Sequence, residues 1–206
     1  FFLHFSSLFE LLFHFIHKIS YFFIHLYKYF AKMSRYIDIH THRPTALHIE
    51  PQAVGIHPWM AEKEAFDEAI FDNAVTIGEI GLDFACDVNR DTQERVFRAQ
   101  LTQAEKRNLP VILHCVRAFE PMMKILAEYR LRAVIFHGFI GSVQQAKRAI
   151  DAGYYLSFGP NTFRSPKTIA ALQSTPDDRL FAETDDSGEM IENVYLQIAN
   201  ARYIST

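Results

Sequence analysis

The sequence predicts an α/β fold: a TIM-type (β/α) barrel of parallel strands, shortened or incomplete, with seven strands legible. Three observations predict it. Seven short runs, 36–39, 53–56, 74–80, 110–113, 133–136, 154–158 and 180–184, are nearly continuous in apolar residues, which is how strands buried on both faces read. Segments with helical apolar spacing alternate with them, giving the order of an α/β barrel or a doubly wound sheet. Six of the seven runs also finish at or beside a side chain able to bind a metal. Parallel barrel strands gather their C-terminal ends on one face, whereas a doubly wound sheet would not collect them around one centre.

Taken in order, the first run leads into Asp38-Ile39-His40-Thr41-His42, the second into His57, and the third ends in Glu79. Asp91 with Glu94 opens a helix like a capping box. The fourth run ends at His114, and Phe119, Met122, Met123 and Leu126 then repeat at helical spacing. The fifth ends at His137; Ser142 with Gln145 starts the next helix and Gly153 suits its end. The sixth, ending Ser157-Phe158, carries no ligand. The seventh ends at Asp185, and Ile191, Val194, Tyr195 and Ile198 form the apolar stripe of a last helix.

Composition bounds the rest. With 206 residues, 49% hydrophobic and 22% charged, the chain reads as one or at most two globular domains and excludes a disordered or collagen-like polymer. Two cysteines, Cys86 and Cys115, are too few for a disulfide scaffold, and a reducing, cytoplasmic compartment is the default expectation. A net charge of −3 argues against bulk electrostatic binding of nucleic acid, so any such contact must be local. Residues 1–32 stand apart: they hold 9 of the 19 Phe and no Gly, Pro or Arg. Glu10, Lys18 and Lys28 interrupt any membrane-spanning run, and no signal-peptide order is present. Translated AT-rich upstream DNA has this composition, so the segment is expected to be foreign to a domain spanning 33–206, with an interfacial amphipathic anchor as the alternative and no membrane partner expected.

The strand-end residues suit a binuclear metal centre. His40 and His42, two apart in an extended segment, point to the same side and can chelate one ion. A carboxylate such as Glu79 can bridge two. Imidazoles suit Zn, Mn or Fe, and carboxylates also suit Mg. An isolated HxH or a lone strand-end His is weak evidence; six such residues, His40, His42, Glu79, His114, His137 and Asp185, at equivalent positions of successive strands are strong evidence.

At this point the sequence resembles the TatD family of metal-dependent hydrolases, within the amidohydrolase-like barrels. The matching segments are Asp38–His42, Gly55-Ile56-His57-Pro58-Trp59, Gly78-Glu79-Ile80-Gly81-Leu82-Asp83, Leu109–His114, His137-Gly138-Phe139-Ile140-Gly141-Ser142, Leu156-Ser157-Phe158 and Glu183-Thr184-Asp185. They follow family order over 33–206. The resemblance implies a divalent-metal-dependent phosphodiesterase acting on DNA at single-stranded ends, commonly as a 3′→5′ exonuclease. It implies two divalent ions (Mg, Mn or Zn): His40 and His42 hold one, His114 and His137 the other, Glu79 bridges, and Asp185 is both ligand and base. Hydrolysis of an ester or amide, such as an aminoacyl-tRNA ester, is the alternative activity, and an inactive or binding scaffold is the further one.

The sequence departs from the family in three places. Only 14 residues separate His42 from His57, with Pro44 and Pro51 among them, where the family places a helix, a strand and another helix. A barrel gap, or an irregular segment near 44–52 covering it, is therefore expected. Val116 stands where the family often has Arg, and Arg117 follows it as a candidate substrate contact. The chain stops at Thr206, short of the family's terminal helix, and a truncated or divergent C-terminus is expected. His57 is divided between a substrate contact and a structural turn, and His48 is expected at the surface. Asp38 and Asp83 are expected to order neighbouring ligands. Arg164 and Lys167 are equally open as phosphate contacts or solvated charges. Cys86 and Cys115 are expected to be buried thiols.

Overall fold

The computed structural model describes residues 36–203; the segment 1–32 lies outside them. Five parallel strands, β1 (Ile77–Asp83), β2 (Val111–Val116), β3 (Val134–Phe136), β4 (Tyr155–Phe158) and β5 (Leu180–Ala182), lie side by side in chain order. Helices α1 (Arg90–Arg107), α2 (Phe119–Leu126), α3 (Val143–Asp151), α4 (Pro166–Ser174) and α5 (Ile191–Tyr203) each follow one strand. No helix among the described residues is long and apolar enough to cross a membrane.

The two-residue period of a strand sorts the side chains. Val111, Leu113, Val134, Phe136, Leu156, Phe158 and Ala182 point outward into the core shared with the helices. Their neighbours point inward in two layers. The lower layer is apolar: Ile112, Ile135, Tyr155 and Phe181, joined by Ile37, Ile39 and Ala53. Two residues further along the same strands come His114, His137, Ser157 and Glu183, so the upper layer is polar. Each buried aliphatic side chain in these layers contributes about 1.5–3 kcal/mol.

The first two of the seven expected strands do not form ladders. The run 36–39 lies beside β5, with Ile39 N–H donating to Ala182 O at 3.1 Å. The run 53–56 lies beside β1, where Val54 N–H donates to Thr76 O and Gly78 N–H to Val54 O, both at 3.1 Å. The reason is the short link. Adjacent parallel strands need a crossover of a dozen or more residues, usually a helix, and the proline-containing stretch after His42 leaves no room for one. It forms an irregular strap instead, bridged once to the first run through Ile37 and Ile49. The Glu50 carboxylate knots it by accepting from Thr45 N–H, Thr45 Oγ1 and Ala46 N–H at 2.6–2.9 Å. Where a strand neighbour is missing, a glutamine of α1 serves. Gln100 accepts from Ile56 N–H at 2.6 Å and donates to Ile56 O at 3.1 Å.

Several boundaries also differ from the sequence expectation. β1 runs on to Asp83, so Glu79 lies within the strand, at a register shift between Ile77 and Ile80. Helix α1 is capped by Asn89, which accepts from Thr92 N–H; Asp91 sits in its first turn and Glu94 pairs with Arg98 instead. Ser142 and Gln145 form the expected capping box. The helical stripes of α2 and α5 fall where their spacing places them. His48 is tucked in rather than at the surface, edge-on to Tyr36 and 3.3 Å from Glu192. Both cysteines are free and half-buried, not fully buried.

Candidate metal centre

All six ligand candidates meet at the C-terminal mouth of the strands. Backbone pairing brings the first and last segments together: His42 N–H donates to Asp185 O at 3.1 Å and Asp185 N–H to His40 O at 3.0 Å. The Asp38 carboxylate accepts from Thr184 N–H at 3.0 Å and from Thr184 Oγ1 at 2.6 Å, stapling the HxH segment to the end of β5. Asp185 itself has a left-handed backbone, φ 54°, which aspartate tolerates better than most residues.

Glu79 divides its two oxygens between two sets of imidazoles. Oε1 lies 2.8 Å from His40 Nε2 and 2.9 Å from His42 Nε2, and Asp185 Oδ1 is 3.7 and 3.4 Å from the same nitrogens. Oε2 lies 2.8 Å from His137 Nε2 and 3.3 Å from His114 Nδ1. Burial would raise the Glu79 pKa, but His114, His137 and His40 around it hold it well below the carboxylate range. Burial raises that of Asp185, against the pull of His137.

These donors fit divalent ions. The buried His40 Nε2 has no hydrogen-bond partner despite its closeness to Glu79, an arrangement costing about 1–3 kcal/mol if nothing satisfies the nitrogen. Ligands about 2.0–2.2 Å from one ion stand roughly 3 Å from each other, which is the spacing found here. His40, His42, Glu79 and Asp185 form one such cluster.

The surroundings fix ring orientations. His114 turns Nε2 to Asp83 Oδ2 at 3.2 Å, leaving Nδ1 for the centre. His137 faces Nδ1 toward Glu183 Oε1 at 3.4 Å, an ion-pair contact rather than a hydrogen bond, leaving Nε2 for the centre. Burial opposes a charge on His137, but Glu183 and Glu79 at its two nitrogens outweigh it and raise its pKa to about 10. Glu183 was not singled out from the sequence. It is 1% exposed, and the signal was available, since it follows the last strand directly and lies two residues beyond the inward Phe181.

His57 is of a different kind. Its Nδ1 accepts from Trp59 N–H at 3.2 Å, and burial beside His114 lowers its pKa to about 4. The ring is therefore neutral with its proton on Nε2, which points at Glu79 Oε2 from 3.7 Å. Nε2 is thus the atom it turns to the centre, where it groups with Glu79 and His114. Arg117 is not brought to the ligands. It is exposed, with φ 52°, and lines a separate cavity of about 550 Å³ that reaches His137 and also holds Lys167. The ligands share a cavity of about 670 Å³ with the strap, His57 and Trp59.

The family model described as TatD related DNase matches residues 37–200. The chain is 38% identical over 152 residues, 65% of its length, to YabD of Bacillus subtilis, named as an uncharacterized metal-dependent hydrolase. It is 35% identical over 144 residues to a protein of Pectobacterium carotovorum named as the 3′-5′ ssDNA/RNA exonuclease TatD, covering 64% of this chain. It spans 57% and 55% of those two relatives. The crystal structure of the TatD homologue YjjV from Escherichia coli superposes with a TM-score of 0.68 at 28% identity, over 75% of this chain and 70% of that one.

Proposed function

The chain belongs to the TatD related DNase family, and on that footing we propose that it is a divalent-metal-dependent hydrolase cleaving phosphodiester bonds of DNA, in the manner of a 3′→5′ exonuclease at single-stranded ends. The activity is assigned to the segment 33–206. The observation that carries the reading is Glu79, whose two oxygens serve two separate sets of imidazole donors. His40, His42 and Asp185 would hold one ion, His114 and His137 the other, with Glu79 between them. When bound, two such ions supply an acidified water at neutral pH and neutralise charge on the attacking and leaving oxygens.

The remaining work falls to the chain's own side chains. Asp185, with its side chain 30% exposed, turns Oδ1 to His40 and His42 and keeps a second oxygen to accept the nucleophile's proton. His57 presents its Nε2–H to a non-bridging phosphate oxygen. Asp83 and Glu183 hold His114 and His137 in the ring orientations that expose Nδ1 and Nε2 respectively. Arg117, in the neighbouring cavity, would meet the strand beyond the scissile group. Two free cysteines support a cytoplasmic location.

The test is hydrolysis of single-stranded DNA with Mg or Mn, beside ester and amide substrates. Release of nucleotides that stops with chelator and with Glu79→Gln is expected. Turnover of the ester or amide but not of DNA would overturn the substrate assignment.

A further inference from the structure

Trp59 is half-exposed at 53%, unusual for a residue that is normally well buried. It sits on the single turn Pro58–Met60 directly after His57. The ring is nevertheless held. Its Nε1–H donates to Asp83 Oδ2 at 2.7 Å, the same oxygen that lies 3.2 Å from His114 Nε2. It meets His57 at 4.6 Å between centroids and 77°, and His114 at 5.9 Å and 73°. It lines the same cavity of about 670 Å³ as His40, His42 and Glu79, large enough for a nucleotide. The other aromatic rings lining the cavities, Phe119, Phe136 and Phe139, are at most 9% exposed and have no face to offer. The hydrogen bond to Asp83 accounts for the orientation of the indole but not for its exposure, which leaves a large apolar surface in water beside the metal centre.

We propose that the indole of Trp59 is a stacking platform for a nucleobase of a single strand, seating the nucleotide whose phosphate enters the metal centre. This rests on the nuclease reading and names the subsite that reads the base. Stacking on an aromatic face suits any base, so the site would grip single strands with little sequence preference. A fixed ring loses little freedom when the base arrives, and its mount on Asp83 ties the platform to a metal-ligating histidine.

Trp59 is the one tryptophan of the chain, so indole fluorescence reports on this ring alone. The experiment titrates the full chain, with Ca²⁺ present, against a phosphorothioate-linked single-stranded oligothymidylate and against the same backbone with abasic sites. Anisotropy of end-labelled strands gives affinity, and unlabelled strands give quenching. The expected result is quenching by the base-bearing strand and little by the abasic one. Trp59→Ala should weaken the base-bearing strand about 5- to 150-fold and leave the abasic strand unchanged, while Trp59→Phe keeps most of the affinity. If Trp59→Ala binds both strands as wild type does, the backbone alone is gripped and the platform is overturned, with the nuclease reading intact. Equal weakening of both strands would make Trp59 a positioning residue acting through Asp83, which also overturns it. If neither strand binds and DNA is not cleaved, the nuclease reading fails and the platform with it.

Discussion

Glu183→Gln keeps the shape of a buried side chain and removes one charge beside His137. The Nδ1–Oε1 separation of 3.4 Å and the 1% exposure of Glu183 mean that solvent cannot replace the lost partner. Removing such a partner of a metal-binding histidine typically costs about 10–100-fold in metal affinity, or about 1.4–2.7 kcal/mol. The pH dependence has a definite sign. In the metal-free protein His137, raised to about 10, carries a proton at neutral pH that an ion must displace. Wild-type affinity at this site should therefore climb as pH rises toward that value. The variant lacks the Glu183 charge, its His137 binds the proton less tightly, and its affinity should climb less steeply. The deficit of Glu183→Gln is then smallest near pH 7 and grows toward pH 9. Free Mn²⁺ measured by electron paramagnetic resonance at several pH values, under argon, reads both quantities. A deficit that is absent at high pH, or that shrinks as pH rises, would refute the assignment of Glu183 as the partner of His137.

Three other outcomes are expected. Asp185→Asn should lower kcat by about 10² or more, the usual scale of general-base assistance, in single-turnover cleavage of a single-stranded oligonucleotide, with circular dichroism unchanged. His114→Ala combined with His137→Ala should lose one of two divalent ions by elemental analysis, since His40, His42, Glu79 and Asp185 stay together; two ions still bound would mean a wrong ligand set. Gly81→Ala should destabilise the fold in a denaturant melt, because Gly81 has φ 146° and an added Cβ would collide with the His114 carbonyl and stand 3.1 Å from Met122 Cε. A melting midpoint equal to wild type would show that β1 and β2 can separate without cost.

The strand-end ligand candidates were legible because their signals are local. His114 and His137 each sit two residues beyond an inward apolar residue, Ile112 and Ile135, so the alternation within one strand reveals which side chains enter the mouth. The capping box at Ser142 and the stripe of α2 are local in the same sense. The start of α1 was misplaced because Asp91 and Asn89 are both competent caps, and only the hydrogen bond to Thr92 N–H distinguishes them. Arg117 was a candidate substrate contact because the family often has Arg one position earlier; with a left-handed backbone it lines the neighbouring cavity, which reaches His137.

By itself the sequence determined the parallel α/β architecture, the family, and the six side chains that gather at the strand ends, since their recurrence at the ends of successive apolar runs is read along the chain. Tertiary structure decided what depends on a neighbour distant in sequence. The runs 36–39 and 53–56 are apolar enough for strands, but a strand exists only where a second backbone supplies its hydrogen bonds, and here Ile56 finds a glutamine side chain instead. Likewise Glu183 gains its role only because β3 and β5 bring it to His137, and His57 becomes an N–H donor only because Trp59 N–H occupies its other nitrogen. A side chain's direction is set by the two-residue step of its own strand, whereas its proton, its partner and its charge are set by atoms that the fold brings from elsewhere.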